Sequence, residues 1–455
     1  MSRSSIPEDI QEEILLRLPL KSILCFKSVC KSWNALLSSR NFIKDHLNLS
    51  TKNHHRNTKI MIGVYDYDYM QDADDIFYSI DYASTLCGAV LMNYPNDNNN
   101  NAITHTNRHL IVGSSNGLIL LLASDSEKLF LWNPSTREYK EIIRAPAPEE
   151  SLLSYGFDYD AKTDNYKLVG IATGQSDDDG ELDNFSEVYL YIAGSWSRRQ
   201  NIPYVYSDVT GGVLLNGVLH WLGEAVHWSG DTATREKTII SFDINTEKFI
   251  GLPLPEETMT YPEEIFDVQV LGDSLCLTSG VRDVRVDVWV MQNYGVRESW
   301  TKQFTISQKR MTEEPRLLKF YGSIKDSEIL IQVGEHLGLY DQKNDSVRIL
   351  NINGITDGNF FSESYVESLV SVSSGTYMGT TEKKQSKDAI EIQDSNSKKN
   401  TEVTMEEAAD KEAKRKHNEL LAESSSSSKR KRASYENKEL DAVNSSLGDT
   451  LFVNV

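Results

Sequence analysis

The sequence predicts an α+β multidomain chain: a small three-helix module over residues 1–48, an all-β propeller of about six blades over 60–365, and a disordered tail over 371–455. Three observations carry that reading. Large apolar residues recur at helical spacing between prolines near the amino terminus. Turn signals return at a nearly constant interval through the middle of the chain. Beyond about Ser371 aromatic residues give way to Lys, Glu, Ser, Asn and Asp.

In the helical module, Pro7 suits a first helical turn, where its missing N–H costs nothing, and Glu8 and Asp9 favour the positive end of the helix. Ile10, Ile14 and Leu18 follow at four-residue spacing with Leu15 beside them, and Pro19 ends the run. A second helical run, broken near Cys25-Phe26, carries Leu24, Val29, Cys30, Trp33, Leu36 and Leu37, and Phe42 follows in the next turn. A segment of this length is at the lower limit for independent folding. Three short helices cannot cover all of these side chains, so some must face another protein.

The β region is read from a recurrence rather than from any single strand. Turn signals stand at Asn116-Gly117, Thr163-Asp164, Asn216-Gly217, Gly272-Asp273 and Lys325-Asp326, each between apolar or aromatic runs. Their second residues are 47, 53, 56 and 53 positions apart, a period that belongs to kelch-like propellers. A second motif repeats in phase: Trp132-Asn133 through Glu138-Tyr139, Phe242-Asp243 through Lys248-Phe249, and Tyr340-Asp341 through Ser346-Val347. Each is an aromatic residue, then Asn or Asp, a polar turn and a return strand. Residues 59–65 with 76–78 supply one further unit. A two-sheet sandwich is the rival fold, but it requires no such period.

The formal net charge of −20 repels nucleic acid and anionic lipid, so neither is expected as a partner. No run of eighteen apolar residues suggests insertion in a membrane. The four cysteines, Cys25, Cys30, Cys87 and Cys276, form neither a dense disulfide framework nor a zinc spacing. A reducing compartment fits, and no metal or cofactor is expected.

The residues Ile6-Pro7-Glu8-Asp9-Ile10, then Ile14-Leu15-Leu16-Arg17-Leu18-Pro19, then Phe26 to Trp33 resemble a complete F-box, with Ile6 where Leu usually stands. The segments Tyr155 to Asp160, Tyr166 to Val169 and Gly217 to Leu222 are similar to the F-box-associated domain of plant F-box proteins, which include the S-locus F-box group. The resemblance implies a substrate-recognition subunit of a Skp-cullin-F-box ubiquitin ligase. The F-box would dock on a Skp-type adaptor and through it a cullin, while the β domain holds a target protein of unknown identity. Carried over by position, Pro7, Ile10, Ile14, Leu15, Leu18, Pro19, Leu24, Val29, Cys30 and Trp33 would form the adaptor interface and its immediate support. Against that reading, Ile14, Val29 and Trp33 could be simple core, Pro7 and Pro19 helix punctuation, and Cys30 a small buried hydrophobe. Such a subunit acts by proximity and performs no bond chemistry, so no catalytic residue is expected.

Other signals are weighed beside it. Gly113-Ser114-Ser115-Asn116-Gly117 matches a nucleophile elbow, but the apolar run from Leu118 reads as a strand where the elbow needs a helix. Asp177-Asp178-Asp179-Gly180 has the wrong spacing for a calcium loop and reads as a solvated acidic loop. His220, in an apolar strand, reads as a satisfied core or blade-edge histidine. Lys414, Arg415 and Lys416, with Lys429, Arg430, Lys431 and Arg432 twelve residues further on, form a bipartite basic pattern. It predicts contact with an import receptor and residence in both cytoplasm and nucleus. The rival functions are a ubiquitin-independent nuclear scaffold and a propeller-based oxidase, which would need a copper-binding Tyr, His and Cys set that the sequence does not display.

Overall fold

The computed structural model describes residues 6–372 except 53–56, 66–75, 82–87, 93–108, 124–127, 149–150, 175–184, 207–210, 230–231, 260–263, 282–283, 308–317, 326, 353–354 and 356–358. The acidic stretch at 177–180 and both basic clusters of the tail lie outside the described residues.

The chain opens with helices α1 (Glu8–Leu16), α2 (Leu20–Phe26), α3 (Lys31–Leu37) and α4 (Arg40–Lys52). Pro7 and Pro19 stand at the N-caps of α1 and α2. Where the spacing predicts three helices, four form. The break falls at 27–30, later than the sequence suggests, because Cys30 turns extended (φ −157, ψ 163) and its sulfur accepts the Trp33 N–H to start α3. Ser39 Oγ then accepts the Phe42 N–H at 3.3 Å and starts α4. Phe42 thereby heads a helix that buries it with Ile43, His46, Leu47 and Ser50.

The strands form six antiparallel sheets arranged as blades. Blade 1 holds β1 (Thr58–Tyr65), β2 (Ile76–Asp81) and β3 (Val90–Met92); blade 2 holds β4 (His109–Ser115), β5 (Leu118–Ala123), β6 (Lys128–Asn133) and β7 (Glu138–Ile143). Blade 3 is β8 (Leu152–Asp160), β9 (Asn165–Thr173), β10 (Ser186–Ile192) and β11 (Ser195–Ile202). Blade 4 has five strands, β12 (Tyr204–Tyr206), β13 (Val213–Leu215), β14 (Val218–Ser229), β15 (Thr232–Asp243) and β16 (Lys248–Leu252), because β12 and β13 share the inner edge of β14. Blade 5 is β17 (Glu264–Leu271), β18 (Ser274–Val281), β19 (Arg285–Met291) and β20 (Trp300–Ser307). Blade 6 is β21 (Leu318–Lys325), β22 (Glu328–Val333), β23 (His336–Asp341) and β24 (Ser346–Ile349).

The ring closes when β25 (Asn359–Val366) pairs antiparallel with β1 and supplies the inner strand of blade 1. Each neighbouring pair of blades encloses one apolar cluster, from Met61, Phe77 and Trp132 between blades 1 and 2 round to Ile60, Ile62 and Leu330 between blades 6 and 1. This explains why β5 is apolar along its length. Leu118 and Leu120 face blade 3 while Ile119 and Leu121 face blade 1. Polar ties cross the same seams. Lys167 Nζ meets Asp160 of its own blade at 2.9 Å and Glu247 of blade 4 at 2.7 Å, and Lys319 of blade 6 pairs with Glu363 on β25.

All five turn signals fall between an inner strand and the one that follows it in blades 2 to 6, β13 and β14 in blade 4, and the three in-phase hairpins join the last two strands of their blades. The hairpins share a physical device. Asn133, Asp243 and Asp341 each accept two backbone N–H groups through Oδ1, and Arg137, Glu247 and Asp345 take the left-handed conformation that closes the turn. Because successive strands alternate in direction, both kinds of turn lie at one end of the ring, and the hairpins joining second to third strands lie at the other.

Candidate functional site

The helical module occupies the end of the propeller that carries those turns. Arg40 at the head of α4 pairs with Asp164 in the β8–β9 turn at 2.6 Å. Lys27 lies near Glu138 at the start of β7; burial lowers the lysine's pKa and the Glu138 charge partly opposes it. Leu15, Leu20, Ile23, Leu37, Phe42, Ile43 and Leu47 belong to the same apolar cluster as Leu118, Leu120, Tyr155 and Phe157 of blades 2 and 3. One side of the module is therefore merged with the propeller core.

The other side is apolar and bare. Ile10 and Ile14 are neighbours at four-residue spacing on α1, 51% and 49% exposed, and Ile6 ahead of the helix is exposed as well. Val29 is 60% exposed, and Pro7, Pro19 and Cys30 are exposed as well. Leu15 is inside the core, while Leu18, Leu24 and Trp33 are partly buried and packed against it. The Trp33 ring lies tilted 5.5 Å from Phe26, and its indole N–H donates to Gln11 Oε1 at 3.4 Å, tying α3 to α1. The ten residues singled out from the sequence thus divide into six that are exposed and four that are buried in the core or packed against it.

Two side chains differ from their sequence reading. Cys30 is exposed, not a buried hydrophobe, because its sulfur is used to cap α3; the Ser32 hydroxyl 3.2 Å away and the Trp33 N–H hold its thiol pKa below the ordinary value. Ile6, which the sequence reading does not include among the site residues, is 54% exposed.

The rival signals resolve on geometry. Ser115 ends β4, Asn116-Gly117 is a two-residue turn with φ of 52 and 82, and a strand follows, so no elbow forms. Its Oγ donates to Asp158 Oδ1 at 2.5 Å across the blade seam. His220 is fully buried, with Nδ1 3.1 Å from Val213 O and Nε2 2.7 Å from Tyr294 Oη. Burial pushes its pKa down to about 4, and two backbone contacts only partly oppose this. It is a satisfied core histidine, as its apolar strand suggests.

Comparison with known proteins places both parts. A family model described as the F-box domain matches residues 4–45, and one described as the F-box associated beta propeller domain matches residues 88–372. An F-box/kelch-repeat protein of Arabidopsis thaliana is 27% identical over 359 residues, covering 75% of this chain and 89% of the relative. The Arabidopsis F-box protein CPR1 is 28% identical over 393 residues, covering 81% and 89%. Among solved structures, the β-propeller domain of the Trilobed protease from Pyrococcus furiosus is similar with a TM-score of 0.36 and 9% identity, over 65% of this chain and 78% of that one.

Proposed function

This chain belongs to the F-box proteins that carry an F-box associated β-propeller domain, and from that premise we propose that it is the substrate-recognition subunit of a Skp-cullin-F-box ubiquitin ligase. The observation that carries the reading is the two-sided helical module. One face is built into the propeller and the other presents Ile6, Ile10, Ile14 and Val29 to solvent. Covering such side chains contributes about 1.5–3 kcal/mol for each one fully buried, which suits a Skp-type adaptor as the surface that takes them. The propeller would hold a target protein near the charged conjugating enzyme, raising the effective concentration of its lysines without chemistry by this chain.

The test is binding of the purified full chain to a Skp-type adaptor, with Ile10→Asp/Ile14→Asp as the variant. Both side chains are half exposed, so the variant should keep the parent melting temperature while losing the adaptor.

Location is a separate proposal. The clusters Lys414 to Lys416 and Lys429 to Arg432 together engage an import receptor, the twelve-residue spacer letting each reach its own acidic site. A fluorescent fusion with either cluster changed to alanine should enter the nucleus less, and one with both changed should stay out. A double variant as nuclear as the parent overturns the import proposal alone.

A further inference from the structure

After β25 the described residues 367–372 stay packed on the propeller. Ser368, Leu369, Val370 and Val372 are buried beneath blade 2, and the last three belong to the apolar cluster that also contains Leu15, Leu20, Ile23, Leu37, Phe42 and Leu47 of the helical module. Asn133 Nδ2 donates to Ser368 O at 3.1 Å and to Val370 O at 2.7 Å. Glu138 Oε2 accepts from Ser371 Oγ at 2.8 Å and from the Val372 N–H at 3.3 Å, and the same carboxylate acts on Lys27 of the module. Gly117 completes the bed. A Cβ there would lie 2.4 Å from Ser368 Oγ and 2.6 Å from Val366 O, so a side chain at this turn would push the segment away.

We propose that residues 367–372 are a latch: ring closure by β25 lays them against blade 2, and they in turn seat the helical module. The face offered to the adaptor then has a fixed orientation only in the closed propeller. That functional consequence rests on the adaptor reading above, whereas the latch itself does not. Chain order gives the device its meaning. The module is made first, but its seat includes the last described residues, so Leu15, Phe42 and Leu47 lack full cover until the ring is complete.

The test uses the full chain carrying Leu369→Ala, Val370→Ala and Val372→Ala together, followed by hydrogen exchange. Amides of α1 to α4 should exchange at least about tenfold faster than in the parent, with the β1–β25 pair unchanged. Spin labels at Lys44 and Thr234, exposed on α4 and on the hairpin at the far end of blade 4, should report a broadened distance distribution. Glu138→Ala is the second variant. Its side chain is exposed, so it releases Ser371 and Val372 without opening the core. If the triple variant also loosens β1–β25, Glu138→Ala decides: faster helices beside an intact β1–β25 pair support the latch, and unchanged helices refute it. Parent-like protection of the helices in both variants overturns the proposal. Loss of the adaptor reading in the Ile10→Asp/Ile14→Asp test leaves the exchange result standing.

Discussion

Ile14 and Leu15 are neighbours on α1, yet Ile14 is half exposed and Leu15 is 2% exposed. The sequence gives both as apolar residues of one short helix and cannot say which will be left bare, because that depends on where the module sits on the propeller. The buried histidines are a second case. His220 is legible as a core residue from its apolar strand, but its partner Tyr294 is 74 residues away and no local pattern announces it. Its pKa of about 4 sets a pH dependence. Between that value and an unfolded pKa of about 6.5, the unfolded chain binds a proton that the folded chain refuses, so stability rises with pH across the window. The contribution is complete above about pH 6.5 and is lost on acidification toward 4, an effect of order 3 kcal/mol. His46, whose pKa burial also lowers, acts in the same direction. Thermal melts from pH 7.5 to 4.5 should show the decline, and His220→Gln should flatten it. An equally steep decline in the variant would show that the dependence arises elsewhere.

At the scale of elements, the Asx turns are the best-read feature and the segment after β25 the worst. Asn133, Asp243 and Asp341 were visible as an aromatic-Asn/Asp repeat because capping two N–H groups is a local act that needs no distant partner. The three positions are not equivalent in the folded chain. Asp341 serves only its own turn and Asn344 in the contacts it makes, whereas Asn133 also holds Ser368 and Val370 through its buried amide. Asp341→Ala should therefore destabilise the chain less than Asn133→Ala, which strands buried carbonyls at a cost of about 2–4 kcal/mol. Urea denaturation of the two variants checks the order; equal losses would mean that the bonds to the latch add nothing. Residues 367–372 carry no period or turn signal, and their burial is decided by a bed more than two hundred residues upstream in sequence. The start of α3 is hard to read for a nearer reason, a cysteine acting as an N-cap in place of the usual Ser, Thr, Asp or Asn, whereas α4 starts on an ordinary serine cap at Ser39.

For the molecule as a whole, the fifty-residue rhythm was sufficient to reach a ring of about six blades, because each blade must bury both faces against its neighbours and so repeats the same alternation. How the ring closes was not readable. Residues 59–65 read as part of a blade, but nothing in them says that the inner strand comes from 359–366. The pairing of β1 with β25 joins the first and last strands of the propeller, and the helical module on the turn-bearing end leaves the far end of the ring clear of the module. The most direct measurement is titration calorimetry of the full chain with a Skp-type adaptor, in parallel with Ile10→Asp/Ile14→Asp, each checked by thermal melting. The account predicts a micromolar or tighter complex for the parent and a loss of about a hundredfold or more for a variant that melts with the parent, since two buried carboxylates each cost several kcal/mol. A parent that binds no adaptor, or a variant that binds as well as the parent, would contradict it.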